Sequence, residues 1–256
     1  MVTTAIMMAG LIQFFLIQGR THAREEQRLA MDENLRVAAA MITDALRNVK
    51  YAAPSNVSTW VTWVSGMNAN PKLTQSGSAS TPDTISVAGC FKEPVATLSA
   101  PYDPASVTPI TLSVTPTGTL SSDLDTGSKS LIRVGEGTTA DFATVTGASG
   151  STISISAALS NAHWGSTSSG GANICRVDVI TYSIATDATT GVPRLMRDDN
   201  QGAGAQPVAE GISNMKITGT GSTYTIALSG RSELRDPISR SWLTRDLQAT
   251  VTRRNS

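Results

Sequence analysis

The chain has 256 residues, 20 of them basic and 20 acidic, so its formal net charge is zero. That balance gives no electrostatic case for nucleic acid, and no nucleic-acid partner is expected. Aromatic residues are 5% and charged residues 16% of the chain, and Ser, Thr, Ala and Gly dominate instead, a composition that favours exported β structure and loops over a cytosolic enzyme.

Residues 5–17 (AIMMAGLIQFFLI) are apolar apart from Gln13, and no charge appears before Arg20. The run covers the whole helix circumference rather than one stripe, so it wants lipid or other apolar helices around it. It is a few residues short of the roughly 20 that span a bilayer. A cleaved secretory signal does not fit, because no basic residue precedes Ala5 and no small-x-small site follows. The assembly or membrane residues read from this run are Ala5, Ile6, Met7, Met8, Leu11, Ile12, Phe14, Phe15, Leu16 and Ile17.

From Arg20 to Lys50 the chain is charged but still helical in pattern. Met31, Leu35, Ala38, Ile42, Ala45 and Val49 recur at alternating spacings of four and three, a heptad stripe that should pack along a head. No Pro or Gly interrupts this stretch until Pro54, which stops a helix. One helix is therefore predicted from about Thr3 to about Lys50, roughly 70 Å long. The expected division is residues 1–54 as an assembly helix and 55–256 as a β-rich head.

Within the head, apolar residues alternate at Ile85/Val87, Ile110/Leu112/Val114, Ile132/Val134, Ile153/Ile155, Tyr224/Ile226/Leu228 and Leu247/Ala249/Val251. Residues 177–184 (VDVITYSI) read as a longer strand. Turn residues bound each run, which argues for antiparallel sheet. The Ser/Thr/Gly/Pro-rich stretch at about 66–171 reads as long loops and short strands. Cys90 and Cys175 lie in separate strand-like runs. A single structural disulfide in an oxidising compartment is the preferred reading, with two buried thiols as the alternative.

Motifs of chemistry are missing. There is no phosphate loop, dinucleotide fingerprint, zinc-binding HExxH or GxSxG elbow. His163, beside Trp164 in a Gly/Ser loop, reads as a solvated histidine rather than a catalytic base. Asp123/Asp125 and Asp198/Asp199/Asn200 are oxygen-rich, but neither has the spacing of a calcium loop, and turn formation explains both. Trp60 and Trp63 read as packing between helix and sheet. No catalytic residue, metal or cofactor is expected.

The N-terminus resembles type IV pilins and their minor relatives. In that family a leader ending in Gly is cut before a Phe, and the apolar helix follows at once. Residues 1–7 (MVTTAIM) are similar to what comes just after that point, so the chain is expected to begin just inside the mature protein. The C-terminal third adds to the resemblance. Residues 179–184 (VITYSI), 192–200 (VPRLMRDDN) and 208–217 (VAEGISNMKI) look like the PilW-type minor pilins. Residues 145–153 (VTGASGSTI), 231–237 (RSELRDP) and 247–255 are also similar.

The resemblance implies an α+β pilin-like fold, a long N-terminal helix packed on an antiparallel β-sheet head with long loops. It implies a non-enzymatic minor pilin that helps to prime filament assembly near the tip. Its partners would be other minor and major pilins, the pilus assembly machinery and the inner membrane. The head would sit in the bacterial periplasm and then on a surface pilus. Arg20, Arg24 and Arg28 follow the apolar run, where the positive-inside rule would read cytoplasm; the disulfide reading argues for export instead. Two other readings stand beside this one. They are a type II secretion minor pseudopilin and a membrane-anchored adhesive or binding domain that does not polymerise.

Overall fold

The computed structural model describes residues 2–49, 61, 70–104, 110–124, 130–135, 140–165, 171–220 and 222–252. Its first element is α1 (Val2–Asn48). Thirteen strands follow: β1 (Lys72–Thr74), β2 (Thr84–Gly89), β3 (Ala96–Leu98), β4 (Thr111–Pro116), β5 (Leu131–Val134), β6 (Asp141–Ser149), β7 (Thr152–Ile155), β8 (Asn173–Thr186), β9 (Pro193–Asp198), β10 (Gln206–Glu210), β11 (Ile212–Thr220), β12 (Thr223–Arg235) and β13 (Trp242–Thr252). One helical turn, α2 (Leu120–Asp123), sits between β4 and β5.

The expected fold class is corrected by the strands. Among the described residues the protein is mostly β, with 46% in strands and 22% in helix. Six of the strands close into an antiparallel barrel in the order β8-β3-β4-β7-β6-β5 and back to β8. The first half of β8 closes the ring. On one edge it pairs with β3 (Ala96↔Ile174) and on the other with β5 (Leu131↔Val177, Val134↔Ile174). A helix laid on one sheet head, as in the pilin class, contains no such barrel. The reason lies in the stretch read as long loops and short strands at about 66–171. Its short apolar pairs, such as Leu112/Val114, Ile132/Val134 and Ile153/Ile155, point inward and fill the barrel. A closed ring of strands also removes the exposed edges that such short strands would otherwise present.

The second half of β8 leaves the barrel and enters another layer. There it pairs with β2 (Ile85↔Tyr182) and with β9 (Thr181↔Asp198), which in turn pairs with β10. A separate three-stranded sheet runs β11-β12-β13. The C-terminal half of α1 lies against both sets of strands. Met31, Leu35, Ala38, Ile42, Ala45 and Val49 are all buried, in one cluster with Ile85, Ile180, Leu195, Met215, Ile226 and Val251. Ala39 and Leu46 are buried beside them, so the face is wider than the heptad stripe, as a core helix requires. Burying each large side chain of this kind is worth roughly 1.5–3 kcal/mol.

Cys90 and Cys175 are disulfide-bonded, with Cα atoms 5.8 Å apart. The bond lies on the outer face of the barrel, where Leu131, Phe142, Val177 and Val179 form a small third cluster with Cys90 packed on it. A polar staple joins the two sheets. Asp83, just before β2, accepts hydrogen bonds from Ser76 N (3.0 Å) and from Ile217 N on β11 (3.1 Å). The Lys216 ammonium donates to Ser76 Oγ (2.8 Å), the carbonyls of Ser78 (2.5 Å) and Thr81 (2.6 Å), and Asp83 Oδ1 (3.0 Å). Burial pushes the Asp83 carboxyl up, but those amides and the ammonium outweigh it and hold it below the usual value.

Candidate assembly surface

The N-terminal part of α1 stands clear of the core. Met7, Met8, Leu11, Ile12, Phe14, Phe15, Leu16 and Ile17 are each between 55 and 72% exposed, and the first helix residue in a core cluster is Met31. Exposure at consecutive positions means that no face of this segment is covered. Phe14 and Phe15 meet edge to face, with ring centroids 6.0 Å apart. A side chain added at Gly10 or Gly19 would meet nothing within 4 Å. Ala5 and Ile6 lie in the helix, but their side chains are outside the described residues. Among the described residues, no helix is long and apolar enough to cross a membrane.

The helix becomes attached to the head over residues 24–35. Arg24 Nε lies 3.7 Å from Asp236 Oδ2, in the turn between β12 and β13. Asp32 pairs with Arg245 of β13 at 2.8 Å. Gly230 of β12 lets the helix come close, since a Cβ there would sit 3.0 Å from Met31 Cγ and Leu35 Cδ1. Between these contacts is a cavity of about 120 Å³, lined by Gln27, Asn34, Glu210 and Glu233 among others. Burial first, and then the hydrogen bond and repulsion from Glu210, push the Glu233 carboxyl up; Arg194 opposes them.

His163 is not the solvated loop residue expected from sequence. It is buried, with Nε2 2.9 Å from Asp141 Oδ2. Asp141 also accepts hydrogen bonds from Asn161 N (2.7 Å) and Nδ2 (3.1 Å). His163 and Tyr102 exchange backbone hydrogen bonds (2.8 and 3.1 Å), and the Tyr102 hydroxyl accepts from Leu159 N (3.0 Å). The network ties the segment after β7 across one end of the barrel. Sequence reasoning missed it because its partners are 20 to 60 residues away in sequence.

Asp198 accepts from Asn200 N (2.8 Å), a side-chain-supported turn with Asn200 at φ 57°. Asp125, Trp60, Trp63 and Pro54 lie outside the described residues. Among the described residues, no group of three His, Cys, Asp or Glu side chains could hold a metal. Another surface also went unread. The β12–β13 turn carries the exposed apolar residues Leu234, Ile238 and Trp242 next to Arg231, Arg235 and Arg240. The alternating pattern stops there, and single apolar residues among arginines carry no periodicity. Compared with family models, curated proteins and solved structures, the chain matches none of them.

Proposed function

We propose that this chain is a non-enzymatic structural subunit that assembles through α1, in the manner of a minor pilin. The observation that carries the reading is the all-round exposure of residues 7–17 on a helix whose other end is built into the head. At 55–72% exposure, these eight large apolar side chains leave roughly 7–15 kcal/mol of burial not realised within the chain. Sibling helices in a filament core, or lipid before assembly, would realise it. The resemblance of residues 1–7 and of the C-terminal third to minor pilins supports the same reading. The Cys90–Cys175 disulfide agrees with a head outside the cytoplasm. The barrel lies outside the pilin class and would be a separate addition that faces other subunits or the surroundings.

The test is to shear surface filaments from cells that make the native protein and to compare them with the membrane fraction. The subunit is expected in both, at low abundance in filaments. Phe14→Asp should remove it from filaments while the head still folds, as judged by circular dichroism. A protein that stays wholly in membranes, with no filament species, overturns the assembly reading and promotes an anchored binding domain with the barrel as its binding unit.

A further inference from the structure

The helix leaves the head beside one particular turn, which carries exposed apolar side chains among arginines. β12 and β13 run along α1, with Gly230 opposite Met31 and Leu35 and with Arg245 paired to Asp32. Their connecting turn points toward the N-terminal end of the helix and meets it at Arg24 through Asp236. Seven residues, about 10 Å of helix, separate Arg24 from Ile17, the last residue of the apolar run. That is close to the depth of one bilayer headgroup layer, roughly 5–8 Å.

The turn is rigid. The Asp236 carboxylate accepts from Ile238 N (3.2 Å), Ser239 N (3.1 Å) and Ser239 Oγ (2.7 Å), and Arg240 N donates to the Asp236 carbonyl (2.8 Å). Leu234, Ile238 and Trp242 are nonetheless exposed, at 67, 53 and 37%. The Arg231 and Arg235 guanidinium carbons sit 4.4 and 5.5 Å from the Trp242 ring centroid. Arg240 is exposed beside them; of the two acids in this stretch, Asp236 is paired with Arg24 at 3.7 Å and Glu233 lines the cavity beside Glu210. Apolar side chains, an indole and cations in one turn suit the boundary zone of a membrane, where tryptophan settles and arginine reaches phosphate.

We propose that the β12–β13 turn is an interfacial anchor that binds an anionic lipid surface while the apolar part of α1 is in lipid. The inference rests on the assembly reading for α1, and it adds a second lipid contact on the head. The anchor holds the head against the membrane before assembly. Withdrawal of the helix into a filament must also release the turn.

The test uses the full chain with vesicles of phosphatidylcholine alone or with phosphatidylglycerol added, and reads binding by flotation. The Arg235→Gln/Arg240→Gln variant is expected to bind the anionic vesicles roughly 25-fold more weakly, about fivefold per arginine held at a charged leaflet. Its binding to phosphatidylcholine should be unchanged. Brominated lipid should quench the parent protein more than Trp242→Phe, because Trp242 lies in the interface. Equal affinities of the parent and the arginine variant for the anionic vesicles, or equal quenching of the parent and Trp242→Phe, overturns the anchor. So does a change in oligomeric state of the arginine variant without vesicles, since the turn would then bind a second copy. Phe14→Asp separates the two readings. If it binds every vesicle as the parent does, lipid burial of the helix fails; if only the turn variants are silent, the anchor fails alone.

Discussion

When the Cys90–Cys175 bond is opened, the denatured chain regains the freedom of a segment spanning 85 positions. In the chain-entropy view, closing a loop of that length is worth about 4.5 kcal/mol at 25 °C. The enclosed segment holds β3 through β7, five of the six barrel strands, so the loss falls first on the barrel. For a head of about this size, each kcal/mol moves the melting temperature by about 2–4 °C. Cys90→Ala/Cys175→Ala should therefore melt about 9–18 °C below the oxidised parent in circular dichroism, with the full chain held in detergent micelles. Reductant should bring the parent down to the variant and leave the variant where it is. A shift under about 3 °C would refute the loop argument. A variant that responds to reductant as the parent does would refute it as well.

Two other perturbations follow from single positions. Gly211 joins β10 to β11 at φ 72°, and a Cβ there would lie 2.6 Å from the Arg231 carbonyl oxygen; Gly211→Ala should cost about 1–3 kcal/mol or more in urea unfolding, and a neutral outcome would mean that the turn relaxes freely. Acidification should act in opposite senses at two carboxylates. Asp83 is held below its usual value, so its contribution is present above that value and is lost as pH falls through the folded one; Asp83→Asn should destabilise at pH 7 by about 1–3 kcal/mol and converge with the parent in acid. Glu233 is pushed up, so the folded state binds its proton more tightly than the unfolded chain does, and stability is lost as pH rises through that range; Glu233→Gln should be more stable than the parent near neutral pH and no better in acid, as read by melting temperature against pH.

The helix was legible because both of its signals are local. A long apolar run and a four-three stripe need no distant partner, and Met31 through Val49 lie where that spacing puts them. Strands with clean alternation were equally legible: Ile85/Val87, Ile132/Val134, Ile153/Ile155, Ile226/Leu228 and Ala249/Val251 all fall in strands, while Ile110 lies just ahead of β4. The barrel was not legible. Its strands are three to nine residues long outside β8, and Ser, Thr and Gly alternate with their apolar residues. Read locally, such segments are separate short strands and loops, with no sign that they close into a ring. Ring closure depends on which strands pair across 40 to 80 residues, and alternation is silent about that. The His163–Asp141 network and the β12–β13 turn were missed for the related reason that their meaning comes from juxtaposition.

One strand explains how a barrel and a helix-packed layer can share a head. In β8 the even-numbered residues face a single side. Ile174 lies in the barrel interior, and Ile180 and Tyr182 lie in the cluster with α1. The odd-numbered residues Cys175, Val177 and Val179 face the opposite side, with the disulfide and the third cluster. Fourteen residues at about 3.3 Å each give a strand some 46 Å long, enough to run through both units without a break. Because side chains alternate with period two, a shift of one residue in β8 would turn its inward residues outward in both units at once. Arg176 marks the crossing point. It faces the same side as Ile174 and Ile180, yet it pairs with Asp178 at 2.7 Å and reaches the Asp123 carbonyl at 3.4 Å. A charged pair between two apolar interiors keeps them as separate cores on one strand. The register of that strand is therefore set twice, by two cores, and the bond at Cys175 ties it to the chain beyond β2.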